Sequence, residues 1–261
     1  MSQALQTKYN AGSSPGYRIL REILIVGIGY LVYSQVRGLA GDRVVDAFYN
    51  GYRVVQIEQD LGIFVERTLQ AIIVPKPLLL DIFNFVYVYG LFPLLLPTAV
   101  FLFWRKPRVY VLVRNAFLLS GAIAAVFFLL LPTAPPRLMG YGFIDTLGGT
   151  LTPTYDSIPG VNHFAAVPSM HVGWNFLMAV SLYMALKGKR FREMVLLFPV
   201  VMFTSTLVTG NHYIVDGLLG VVVAATALYL AYRIQRWDDA KRERRALQEA
   251  ETIEADAAAP T

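Results

Sequence analysis

Apolar runs long enough to cross a bilayer recur along this chain, and they restrict its fold more than any other feature. About 20 apolar residues span the hydrocarbon core as a helix. By that measure six segments qualify, at about 19–36, 78–103, 110–131, 168–186, 194–210 and 213–234. Backbone polar groups inside lipid must be satisfied within their own segment, so such runs fold as helices. The expectation is an all-α, polytopic membrane bundle of about six transmembrane helices. The composition agrees: 56% of the 261 residues are hydrophobic and only 16% are charged. No segment between the runs is long enough for a second core. Residues 18–235 are therefore read as one integral membrane domain, residues 1–17 as a disordered N-terminus, and residues 236–261 as a charged tail.

The basic residues lie in clusters beside the runs. Arg18 and Arg21 precede the first; Arg105, Lys106, Arg108 and Arg114 follow the second; Lys187, Lys189, Arg190 and Arg192 follow the fourth; Arg233, Arg236, Lys241, Arg242, Arg244 and Arg245 follow the sixth. These clusters are topology signals rather than a nucleic-acid surface, and the positive-inside rule puts both termini in the cytoplasm. The expected location is the plasma membrane, with residues 41–76 outside it as one or two interfacial helices that form a lid or rim. There is no cysteine, which excludes thiolate catalysis, disulfides and cysteine-ligated metal centres.

With that topology three unusual stretches reach the outer surface: LPTAPPRLMG (131–140), AAVPSMHVGW (165–174) and GNHYIVDG (210–217). Two of the chain's three histidines, His171 and His212, fall in them. Positions i and i+4 of a helix share a face, so His212 and Asp216 can touch, as a pair that controls a proton or holds a metal. Ionisable groups at membrane depth are costly, and their presence marks function. His163, in the loop beside Asn162, reads as loop decoration. In VPSMH, Pro168 and Ser169 suit a helix start whose exposed amides would hold a phosphate-sized anion.

Pro168-Ser169-Met170-His171, followed by Ser205 and then His212 to Asp216, resembles the second and third motifs of the type 2 phosphatidic acid phosphatase superfamily, P-S-G-H and S-R-x5-H-x3-D. PTAPPR, AAVPSMHVGW and TGNHYIVD resemble more closely its branch that includes inositol phosphorylceramide synthase. The resemblance covers roughly residues 78–235. It implies a lipid phosphatase or headgroup phosphotransferase that works at the extracytoplasmic face through a phosphohistidine, with no cofactor or metal. His212 would be the nucleophile, Asp216 would orient its ring, and His171 would be the acid and then the base. The chain lacks the family's first motif, Lys, six residues, then Arg-Pro. Met170 replaces the glycine of the second motif, and Thr206 the arginine of the third. Arg137 is the candidate replacement cation, helped by Ser169 and Asn211 in binding phosphate. The implied partners are the bilayer, a lipid phosphate or phospholipid substrate, and water or a polyol as acceptor, with no nucleic acid. Asp145 and Asp156 are candidates for binding acceptor hydroxyls, set against a plain solvated loop. Two other readings compete: a metal-dependent membrane hydrolase that uses His171, His212 and Asp216 as ligands, and a non-catalytic channel or scramblase with a polar path lined by the histidines.

Overall fold

The computed structural model describes residues 14–39, 42–147 and 163–257. Nine α-helices follow one another among them: α1 Pro15–Gly38, α2 Val44–Asp60, α3 Glu66–Ile73, α4 Pro77–Tyr89, α5 Phe92–Arg105, α6 Pro107–Leu130, α7 Met170–Ala185, α8 Leu197–Val208 and α9 Ile214–Ala257. Short 3-10 turns lie at Pro136–Leu138 and Arg192–Leu196. The described residues contain no strand beyond an isolated parallel bridge between Thr133 and Ala165. The protein is an all-α membrane bundle, as the apolar runs require.

Proline places several helix starts. Pro15, Pro77 and Pro107 each open a helix, where the missing N–H removes a donor that would have had no partner anyway. Ser14 caps α1 by accepting the N–H of Tyr17.

All six expected segments are helical, but three differ in form. The second is two helices, α4 and α5, bent by 47° at Gly90 and Leu91. Pro93 causes this break: it has no N–H for the carbonyl of Tyr89, and its ring crowds that carbonyl. The fifth segment starts as the 3-10 turn, so that α8 has only 12 residues, and α7 has 16. The sixth continues well past residue 234, to Ala257. By length and apolarity α1, α6 and α9 each suffice to cross a membrane, and the bent pair makes a fourth if it counts as one span; α7 and α8, expected as spans, are shorter than the 18 residues such a span needs. Residues 41–76 supply two amphipathic helices, α2 and α3.

The core lies where α6, α7 and α9 meet. Phe128 and Ala124 of α6, Trp174 and Leu177 of α7, and Ala224 of α9 pack there together with Met202 of α8. Small residues let α7 and α9 approach closely. A Cβ on Gly173 would lie 2.6 Å from the carbonyl oxygen of Gly220, and one on Gly220 would lie 2.1 Å from that of Ser169. Only glycine fits either position, and van der Waals packing of this kind is what holds helices together in lipid. On the outside of the bundle Leu24, Ile28, Leu96, Val200 and Val222 are exposed, an apolar surface suited to hydrocarbon rather than water.

Candidate active site

The glycine that ends α8 sets the position of His212. Gly210 has φ +67°, Gly210 N–H donates to Leu207 O, and Asn211 N–H donates to Thr206 O. These paired bonds with a left-handed glycine form a Schellman cap. The chain reverses there, and His212 is held between α8 and α9.

The three stretches singled out in the sequence meet at this point. Thr133 N–H donates to Phe164 O at 2.7 Å, joining the first to the loop that leads into the second. Arg137 N–H donates to Gly210 O at 2.8 Å, and Tyr213 Oη donates to Ala134 O at 2.9 Å, joining the first to the third. Ser169 N–H donates to Asp216 O at 2.9 Å, joining the second to the third.

His212 Nδ1 lies 3.0 Å from Ala166 O and 3.1 Å from Asp216 Oδ2. A carbonyl can only accept, so Nδ1 carries the proton and Nε2 keeps its lone pair. Asp216, fully buried in the first turn of α9, stands behind the ring. His171, in the first turn of α7, stacks on Tyr87 of α4 with ring centroids 4.6 Å apart, and its centroid is 5.8 Å from that of His212.

Both histidines line a cavity of about 130 Å³, together with Arg37, Arg137, His163 and Asn211. Arg137 is nearly buried. Its Nε donates to Asn211 Oδ1 at 2.8 Å, and Nη1 lies 3.6 Å from Asp145 Oδ2. Asn211 in turn donates through Nδ2 to Thr209 Oγ1 at 2.9 Å, so its amide aims the guanidinium. Arg37, from the last turn of α1, brings a second cation whose charge reaches both imidazoles.

Other expected residues stand differently. Ser169 is fully buried at the N-cap of α7 but is not among the residues that line the cavity; its N–H is taken by Asp216 O and its Oγ has no partner among the described residues. Its side chain makes no capping bond to the first turn of α7. His163, expected as loop decoration, lines the cavity. Asp145 faces Arg137 with its side chain half exposed. Asp156 lies outside the described residues. Thr206, where the family motif has arginine, is buried with its hydroxyl on Phe203 O. Ser205 donates to Phe83 O and ties α8 to α4.

Sequence reasoning missed Arg37 and Tyr87. Arg37 did carry a signal: it is a cation at the end of the first apolar run opposite Arg18 and Arg21. Tyr87 carried none, because an aromatic residue within an apolar helix reads as core.

A second, apolar cavity of about 790 Å³ runs between α1, α5 and α6 and shares Tyr30, Tyr33, Phe92 and Trp174 with the first. A small polar chamber thus adjoins a long greasy one. Among the described residues no three His, Asp or Glu side chains converge to hold a metal ion.

The chain is 29% identical over 177 residues to the phosphoinositol dihydroceramide synthase of Bacteroides thetaiotaomicron, a match that covers 60% of this chain and 57% of that protein. It thus spans somewhat over half of the relative's length. No solved structure matches the chain. The model of the PAP2 superfamily matches residues 52–230, a stretch that contains His171, His212 and Asp216, all of α7 and the first part of α9. That match, over well more than half of the chain and across both histidines and the buried aspartate, makes this chain a member of the PAP2 superfamily.

Proposed function

We propose that the protein is a membrane enzyme that moves a phosphate-bearing headgroup from a lipid to an acceptor through a phosphohistidine. The observation that carries this reading is the orientation of His212. Its Nδ1–H is held by Ala166 O and Asp216, which leaves Nε2 as a nucleophile in a cavity bordered by two guanidinium groups.

In the first step His212 Nε2 attacks phosphorus, the N–P bond forms, and the bond from phosphorus to the lipid oxygen breaks. His171 gives that oxygen its proton. In the second step His171 takes a proton from the acceptor hydroxyl, whose oxygen attacks phosphorus and releases His212. Asp216 stabilises the positive charge on the imidazole in between. Arg37 and Arg137 stand in for cations missing from the family motifs and bind the phosphoryl oxygens, where preorganised charge contributes most of the rate. The first-turn amides of α7 add donors at the same end. The apolar cavity beside the chamber accommodates the hydrocarbon chain.

The name of the Bacteroides relative favours an alcohol over water as acceptor, and hence a headgroup transferase over a phosphatase. The basic clusters support cytoplasmic termini and an extracytoplasmic site in the plasma membrane. A metal-dependent hydrolase fits less well, because Asp216 stands behind His212 rather than beside it in the cavity. A polar path through the bundle fits less well too, because Asn175, the next polar side chain along α7, spends its amide on His171 O.

The test is turnover of a panel of phospholipids and lipid phosphates by the purified protein in detergent with EDTA, with a labelled polyol present, beside His212→Ala. Label that appears in a phosphate ester of the polyol only when His212 is present supports transfer. Phosphate release that ignores the polyol makes the protein a phosphatase. Turnover that survives His212→Ala, or that EDTA abolishes, overturns the phosphohistidine reading.

A further inference from the structure

Two glutamates outside the catalytic stretches reach the helix start that carries His212 and Asp216. Glu58, in the last turn of α2, and Glu66, the first residue of α3, are both fully buried. Glu66 Oε1 accepts the N–H of Ile214 at 2.9 Å, and Glu58 Oε1 accepts the N–H of Val215 at 2.8 Å. These are the first two amides of α9, which no carbonyl of their own helix can satisfy. They lie between His212 and Asp216 in the chain.

A helix start is ordinarily capped by a small polar side chain just before it. Here Tyr213 occupies that place, and the caps come from two other helices, each as a buried carboxyl group. Carboxylates suit the positive end of a helix dipole, but a pair in one dry site cannot both stay ionised. Glu58 Oε2 and Glu66 Oε2 are both buried without a partner among the described residues. Burial, and then Glu66, push the Glu58 carboxyl up from the usual carboxylate range. The other titratable groups near the pair are Asp216 and Tyr213, with Tyr141 beyond them.

We propose that Glu58 and Glu66 are positioning residues that act as one unit, a carboxyl pair that clamps the first turn of α9 onto α2 and α3 and so sets where His212 and Asp216 stand in the cavity. The inference rests on the reading of His212 as nucleophile for its catalytic consequence, while the clamp itself is testable without turnover.

The experiment compares the full chain with Glu58→Gln, Glu66→Gln, Glu58→Ala, Glu66→Ala and Glu58→Asp. It follows hydrogen exchange of the peptide containing Ile214 and Val215, and transfer kinetics on the same samples. Glutamine reproduces the protonated member, so either single Gln variant keeps slow exchange and stays within about threefold of wild-type kcat. Alanine frees an amide and raises exchange there about tenfold or more. The resulting displacement lowers kcat by about tenfold to a hundredfold with KM little changed. Glu58→Asp, which keeps the carboxyl group but falls one methylene short, behaves like alanine and decides the matter if an alanine variant does not fold. Unchanged exchange and kcat in the alanine and aspartate variants, or glutamine variants as damaged as alanine ones, overturn the proposal. Wild-type protein with protected amides but no turnover on any phospholipid sinks the phosphotransfer reading and leaves the clamp supported.

Discussion

Asp216 Oδ2 lies 3.1 Å from His212 Nδ1, and the carbonyl oxygen of Ala166 lies 3.0 Å from the same nitrogen on a different stretch of chain. Two acceptors from two elements thus hold one proton, and the ring cannot present Nδ1 to a substrate. Removing His212 as alanine should abolish transfer. Asp216→Asn, which keeps the shape but weakens support for the charged imidazole, should lower kcat by about 10²-fold to 10⁴-fold with KM little changed. Steady-state kinetics of the purified variants check both.

The two guanidinium groups should be separable by substitution. Arg37→Ala and Arg137→Ala should each cost about 10²-fold or more in kcat/KM, as the loss of one preorganised charge does. Lysine should restore little at Arg137, because its Nε bond to Asn211 depends on the planar fork. Asn211→Ala should cost less than Arg137→Ala, since it loosens the cation without removing it. A lipid titration of the four variants orders them.

The contact of α7 with α9 leaves no room for a side chain at Gly220. Gly220→Ala puts a Cβ 2.1 Å from Ser169 O, against backbone that cannot step aside. Overpacking of this kind costs about 1–3 kcal/mol. The variant should melt at lower temperature and lose activity with it, whereas Gly27→Ala, where the added Cβ meets nothing within 4 Å, should do neither. A thermal-shift series in detergent measures this.

Because the chain has no cysteine, single cysteines report topology without background. Asp145→Cys, in the loop beside the site, should react with a membrane-impermeant maleimide in intact cells, and Asp238→Cys, beyond the sixth apolar run, should react only after lysis. The reverse pattern would invert the proposed orientation.

The helical membrane character of this chain, and the pairing of His212 with Asp216, were legible in the amino-acid sequence. Both rest on local rules: hydrophobic length sets the spans, and a separation of four residues brings two side chains together at a helix start, although His212 itself stands two residues before α9 rather than on its face. The meeting of the three polar stretches was legible as well, because charge clusters assign each span end to one side. What the linear chain could not show depended on how helices rotate and pack. Pro93 broke the second span, although its neighbours are all apolar. The amide of Ser169 went to Asp216 O rather than to the cavity, because α7 and α9 approach closely at two glycines. Arg37 and Tyr87 reached the histidines across distances in sequence that no periodicity encodes. Glu58 and Glu66 found the amides of Val215 and Ile214 about 150 residues away. Local sequence sets which elements form and which faces they present, and long-range packing alone decides which side chain from another element arrives at a given face.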